Sequence, residues 1–151
     1  MQPLLFDPTN NETIMSPQGQ AMVPGFTEIA GAKISMGVVY MPPGGVANAH
    51  KHADTDIIVF VTEAGPDGAI TLWGDNLENM IVQYQGQQLY MPAGIPHVAI
   101  NPSDNDHIRA CEYRSSGILM QDNILLPELQ AIALATKESL KEGLDQHPGA
   151  W

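Results

Sequence analysis

Gly44-Gly45-Val46-Ala47-Asn48-Ala49-His50-Lys51-His52-Ala53-Asp54-Thr55-Asp56 runs a glycine turn into a His-x-His pair and then into two carboxylates. On an extended strand, alternation puts residues 50 and 52 on one face, with Cα atoms about 6.6 Å apart. An ion held at about 2.0–2.1 Å from each ring nitrogen fits between two imidazoles at that spacing. Taken alone, the pair is equally what a solvated surface strand displays. A second stretch changes the weighing: Pro92-Ala93-Gly94-Ile95-Pro96-His97 is a rigid turn that delivers a third imidazole into the apolar run Val98-Ala99-Ile100.

Together the two stretches resemble the cupin superfamily. Its first motif is a Gly, five residues, His-x-His, three or four residues and Glu; here Gly44 is followed by His50-Lys51-His52, by Ala53-Asp54-Thr55, and then by Asp56. Its second motif is matched at each defined position, by Gly86, Pro92-Ala93-Gly94, His97 and Asn101. Two features depart from the pattern: Asp56 stands in place of Glu, and the glycine that closes the first motif is displaced to Gly65. The resemblance implies an all-β, jelly-roll-like fold, a single antiparallel β-barrel with a metal held inside by His50, His52, Asp56 and His97. It also implies a homodimer, for which free edge strands are the physical reason.

On an uninterrupted strand, residues 50 and 56 would be about 20 Å apart, so the chain must bend at Ala53-Asp54-Thr55 for any carboxylate to join the histidines. Asp54 therefore competes with Asp56 for the ligand role, and Asp56, one methylene shorter than Glu, is also suited to orienting a histidine or a bound water. Three imidazoles with no carboxylate or one suit a divalent transition metal: Fe(II), Mn, Co, Ni, Cu or Zn, but not oxygen-seeking Mg or Ca. Likeness to the oxygenases of the superfamily favours Fe(II). Three or four protein ligands leave open positions, as a catalytic site requires.

If Asp56 faces inward, alternation puts Ile58 and Phe60 on the same inner face, and His97 shares its face with Ala99. Tyr40, Trp73 and Tyr90 are candidate borders of this apolar pocket, with Tyr113 a further aromatic nearby. Tyr40, Glu112 and Asp54 are the candidate general bases. Cys111 is the sole cysteine, which excludes an internal disulfide and a thiolate cage and suits a small hydrophobe. His107 reads as a solvated loop residue and His147 as tail.

Around these motifs the pattern is mostly strand. Short β-branched or aromatic segments at 37–41, 57–62, 69–73, 80–84, 88–91, 97–100 and 107–113 are separated by Pro/Gly/Asp punctuation. The first 32 residues, with Pro3, Pro8, Pro17 and Pro24, read as an extended segment that wraps the barrel or adds an edge strand. Residues 33–116 form the barrel core. In 117–151 the period changes: Pro127 opens a helix, Leu129, Ile132, Ala133, Leu140 and Leu144 recur at helical spacing, and Gly143 reads as its stop.

At 151 residues the chain fits one domain with a radius of gyration of about 15 Å and a sufficient core. Seventeen Asp and Glu against six Lys and Arg give a net charge of −11. No basic residue lies between Lys51 and Arg109, so nucleic acid and anionic membrane are poor partners. The same lack of basic groups demotes phosphorylated substrates. With no leader-like or membrane-spanning run, a cytoplasmic protein is expected.

Three functional classes follow. One is a metalloenzyme acting on a small, largely apolar or aromatic substrate, either by dioxygen activation or by non-redox polarisation of a carbonyl or enolate in an isomerase, cyclase or lyase. A second is a small-molecule-binding or sensing domain without turnover. The third, an empty structural barrel, is disfavoured because three converging buried imidazoles would need other partners.

Overall fold

A computed structural model of the chain describes residues 1–146, with side chains described through Lys141. His147 lies outside the described residues, as does the side chain of Leu144. The strands are β1 (Ile14–Met15), β2 (Ala21–Pro24), β3 (Ser35–Met41), β4 (His50–His52), β5 (Ile57–Glu63), β6 (Ala69–Trp73), β7 (Asn79–Gln83), β8 (Gln88–Met91), β9 (His97–Ile100), β10 (Ile108–Arg114) and β11 (Asn123–Leu125). They form two antiparallel sheets, β1-β2-β3-β10-β5-β8 and β11-β4-β9-β6-β7. The architecture is jelly-roll-like, with two sheets instead of one closed barrel.

Residues Ala69–Trp73, Gln88–Met91 and His97–Ile100 form strands at the expected bounds, and the first 32 residues add β1 and β2 to the edge of the first sheet. β11 has no counterpart in the expected pattern. It pairs with β4 through Asn123↔His52 and Leu125↔His50, so it lies directly beside the His-x-His strand.

The helix differs from expectation at both ends. Pro127, which has no N–H to donate, begins a single 3-10 turn at Pro127–Leu129, and α1 then runs Gln130–Gln146. It is about 25 Å long and passes through Gly143 instead of stopping there. Leu129 and Ala133 pack into a cluster with Leu72, Val98, Ile100, Ala47 and Ala49, so α1 covers the outer side of the second sheet. Gln130 secures the junction, receiving Ala49 N–H on Oε1 at 2.8 Å and donating from Nε2 to Ala47 O at 3.0 Å.

The motif glycines serve backbone geometry. Gly44 and Gly94 take φ of +68° and +81°, a region in which a Cβ is strained. Gly94 N donates to His52 O at 2.6 Å, which clamps the turn before His97 onto the end of β4. Asn101 fastens the far end, where its Nδ2 donates to Pro42 O at 3.0 Å and Asp106 O at 2.8 Å.

Candidate metal centre

β4 and β9 are neighbours with His50 opposite His97, and residues directly opposite across an antiparallel pair share a face. His52 joins them by alternation along β4. Ring centroids lie 5.0 Å apart for His50 and His52, 4.3 Å for His50 and His97, and 5.2 Å for His52 and His97. One nitrogen from each ring lies within 4.8 Å of the other two, and all three side chains are buried.

The hydrogen bonds orient the rings. His50 Nδ1 bonds Asn48 O at 2.8 Å, and His97 Nδ1 bonds Ile95 O at 2.9 Å. A carbonyl only accepts, so each Nδ1 carries the proton and each Nε2 keeps its lone pair. His52 Nε2 is buried with no hydrogen-bond partner. Burial holds all three rings in the neutral form: His50 is pushed well below the usual imidazole range by desolvation and then by its neighbour His97. Desolvation and then the Arg114 charge lower His52 to about 3, and desolvation lowers His97. Neutral, converging imidazoles with a sealed, unpartnered nitrogen among them fit a divalent transition ion.

His52 Nδ1 has a mixed setting. Arg114 Nη1 lies 3.3 Å away and is donor-only, whereas Asp122 Oδ1 lies at 4.0 Å as an acceptor. Coordination through Nε2 requires the proton on Nδ1, and Asp122 is the carboxylate positioned to receive it. Its Oδ1 is buried without a partner, and its Oδ2 accepts from Asp54 N at 2.8 Å. Asp122 escaped the sequence reading because it lies beside β11, outside both motifs; an Asp-Asn pair before the three-residue apolar run Ile124-Leu125-Leu126 carries no pattern.

Asp56 differs from expectation. It lies outside the imidazole group, and its two oxygens are taken by Tyr90 Oη and Ala93 N, each at 2.8 Å. These bonds, from Ala93 and then from Tyr90, hold its carboxyl below the usual range. The short carboxylate thus braces β8 and the turn that leads to His97 instead of reaching inward. The lining shifts with it by one residue. Ile57, Val59 and Val61 line the cavity, while Ile58 is 40% and Tyr90 57% exposed. The alternation argument holds, but its anchor, an inward Asp56, does not. Phe60 shares the outward parity of Asp56.

The cavity between the sheets has a volume of about 70 Å³. Besides His50 and His97 its walls include Val39, Met91, Ala99, Ala110 and Glu112. Of the other expected residues, Tyr40 borders the cavity, with the Arg109 guanidinium 5.7 Å from its ring centroid. Trp73, opposite His97 on β6, is absent from the lining, and its indole N–H is buried without a partner. Asp54 is exposed, as is His107. Cys111 is half-buried and unpaired.

Comparison with known proteins agrees with this geometry. The family described as Cupin domain matches residues 37–110. A protein from Planctomyces limnophilus superposes with a TM-score of 0.65 at 14% identity, covering 81% of this chain and 96% of that one. The DMSP lyase DddQ from Ruegeria pomeroyi gives a TM-score of 0.59 at 19% identity, covering 78% of this chain and 61% of that one. A salicylate 1,2-dioxygenase variant from Pseudoaminobacter salicylatoxidans gives 0.52 at 19% identity, covering 62% and 27%. Comparison with curated protein sequences finds no match. Two motifs, a two-sheet jelly roll and a matching family model coincide on one stretch of sequence, and the chain belongs to the cupin superfamily.

Proposed function

We propose that this chain is a metal-dependent enzyme that acts on a small, largely apolar organic molecule at a centre held by His50, His52 and His97. The observation that carries the reading is the unpartnered, buried Nε2 of His52 among three neutral imidazoles. Burying such a group without a partner costs stability, and an ion removes the cost. A divalent ion bound there would supply Lewis-acid polarisation of a carbonyl or hydroxyl oxygen.

Of the two chemistries open to this donor set, the non-redox one is better supported. With Asp56 engaged by Tyr90 and Ala93, the ligands are neutral, so the full dipositive charge stays available to polarise a substrate oxygen. The apolar walls exclude water and strengthen that interaction. A water needs roughly 10–15 Å³ of such volume, so the cavity holds a molecule, or the end of one, no larger than about five to seven waters. Isomerisation, cyclisation or elimination fits this setting.

Dioxygen activation at Fe(II) is the second reading, supported by the structural likeness to a dioxygenase. The distinguishing experiment loads the protein with Fe(II) or with Zn(II) and follows turnover of small carbonyl and hydroxy compounds beside an oxygen electrode. Turnover with Zn(II) and no oxygen uptake is expected; oxygen uptake tied strictly to product with Fe(II) would replace this reading with the oxygenase.

The chain carries no helix long and apolar enough to cross a membrane among its described residues. A homodimer is proposed on family likeness and free edge strands, and a cytoplasmic location on the single, unpaired cysteine.

A further inference from the structure

Glu112 and Arg114 form a buried ion pair on β10 that the three-histidine centre does not itself require. Glu112 is 5% exposed and faces the same cavity as His50 and His97, together with Ile108 and Ala110 on its own strand. Arg114, 2% exposed, donates from Nε to Glu112 Oε1 at 2.8 Å, and its Nη2 lies 2.5 Å from the same oxygen as an ion-pair contact without completing a hydrogen bond. Its Nη1 donates to Asn123 Oδ1 at 2.9 Å. Among the described residues no hydrogen bond reaches the other oxygen, Oε2, and the Glu112 side chain lines the cavity. Glu112 also lies outside the set of groups whose ligand atoms all fall within 4.8 Å of one another, so it does not share one compact ligand set with all three imidazoles. The result is a carboxylate neutralised through one oxygen, with its other oxygen left as a free acceptor across a small cavity from a Lewis-acid site.

We propose that Glu112 is the ligand-facing acceptor of this site and selects a small, uncharged, protic molecule. It takes a hydrogen bond from the ligand, and in the reacting complex a proton, while the ligand's lone pair meets the three-histidine centre. The O–H or acidic C–H bond of the ligand breaks heterolytically, and its electron pair stays on the ligand. Oε2–H forms, nothing is oxidised or reduced, and the same carboxylic acid returns the proton when the product is made. Arg114 is the positioning residue that fixes which oxygen stays free. Small anions are disfavoured by the carboxylate and because no Lys or Arg lines the cavity among the described residues.

The inference rests on the metal centre proposed above, and the test separates the two. The full-length protein is loaded with Co(II) and its visible absorption is titrated with acetohydroxamic acid, an uncharged ligand that yields a proton on chelation, and with azide, an anion with no proton to give. Glu112→Gln is expected to keep the Co(II) stoichiometry and to weaken hydroxamate binding at least about tenfold, the scale of one charge-assisted hydrogen bond, with azide affinity unchanged or raised. Unchanged hydroxamate affinity, or an equal fall for both probes, overturns the role of Glu112 and leaves the centre standing. Absence of a Co(II) spectrum in the wild type overturns the centre itself. Should Glu112→Gln fail to fold, Glu112→Asp keeps the charge but withdraws the oxygen by one methylene: weaker hydroxamate with unchanged azide binding supports the role, and unchanged hydroxamate binding overturns it.

Discussion

Asp122 Oδ1 lies 4.0 Å from His52 Nδ1, buried and without a hydrogen-bond partner, on a segment that neither histidine motif contains. At that separation the two do not hydrogen-bond; coordination through Nε2 would require a proton on Nδ1, and Asp122 is the carboxylate that would then turn to accept it, as in a carboxylate–histidine–metal arrangement. Asp122→Ala is expected to weaken metal affinity about 10- to 100-fold at unchanged stoichiometry. Competition with a chromophoric chelator measures this, and Asp122→Asn, which retains an acceptor oxygen, should recover part of the loss.

Asp56 is expected to behave differently. Its carboxylate braces Tyr90 and the turn at Ala93, so Asp56→Asn should lower the thermal midpoint while leaving metal content per chain unchanged. A parallel loss of metal would return Asp56 to the ligand set.

The metal-free protein should be acid-labile. His52 has a folded value of about 3 against an unfolded value near 6.5, so between those limits the unfolded chain binds the extra proton and stability rises with pH. As pH falls from about 6.5 toward 3, that contribution is lost at about 1.4 kcal/mol per pH unit for the one group, and His50 and His97 act in the same direction. Urea denaturation of chelator-treated protein at pH 7.5 and pH 5 should give a lower midpoint at pH 5. An unchanged midpoint would mean that the imidazoles are not held neutral by the fold.

The Glu112–Arg114 pair makes a stability prediction separate from ligand recognition. Both partners are buried, so Arg114→Met leaves an uncompensated carboxylate and should cost about 3–5 kcal/mol. Adding Glu112→Gln to that variant removes the stranded charge and should restore much of the loss in a double-mutant cycle.

What the sequence made legible follows from how local each signal is. His50, His52 and His97 are fixed by strand alternation and by a proline-flanked turn, both short-range features, and the structure brings their rings within 4.3 to 5.2 Å. The face assignment on β5 failed because parity propagates from its anchor: an inward Asp56 would have carried Ile58 and Phe60 inside, and the bonds from Tyr90 and Ala93 turned it outward. Asp122 and Arg114 were missed as site residues because their meaning depends on β11 lying beside β4, a pairing between residues some 70 positions apart that no local period encodes. Gly143 failed as a stop because a single glycine weakens a helix by about 1 kcal/mol without ending it.

The most direct test of the central claim is metal analysis of the purified full-length protein, reconstituted with Fe(II), Mn(II), Co(II) and Zn(II) in turn and dialysed, in the wild type and in His97→Ala. One tightly held equivalent of a transition ion in the wild type, and loss of most of it in the variant, is the expected result. Equal metal content in the two proteins, or none retained by the wild type with any of the four ions, would contradict a centre built from His50, His52 and His97.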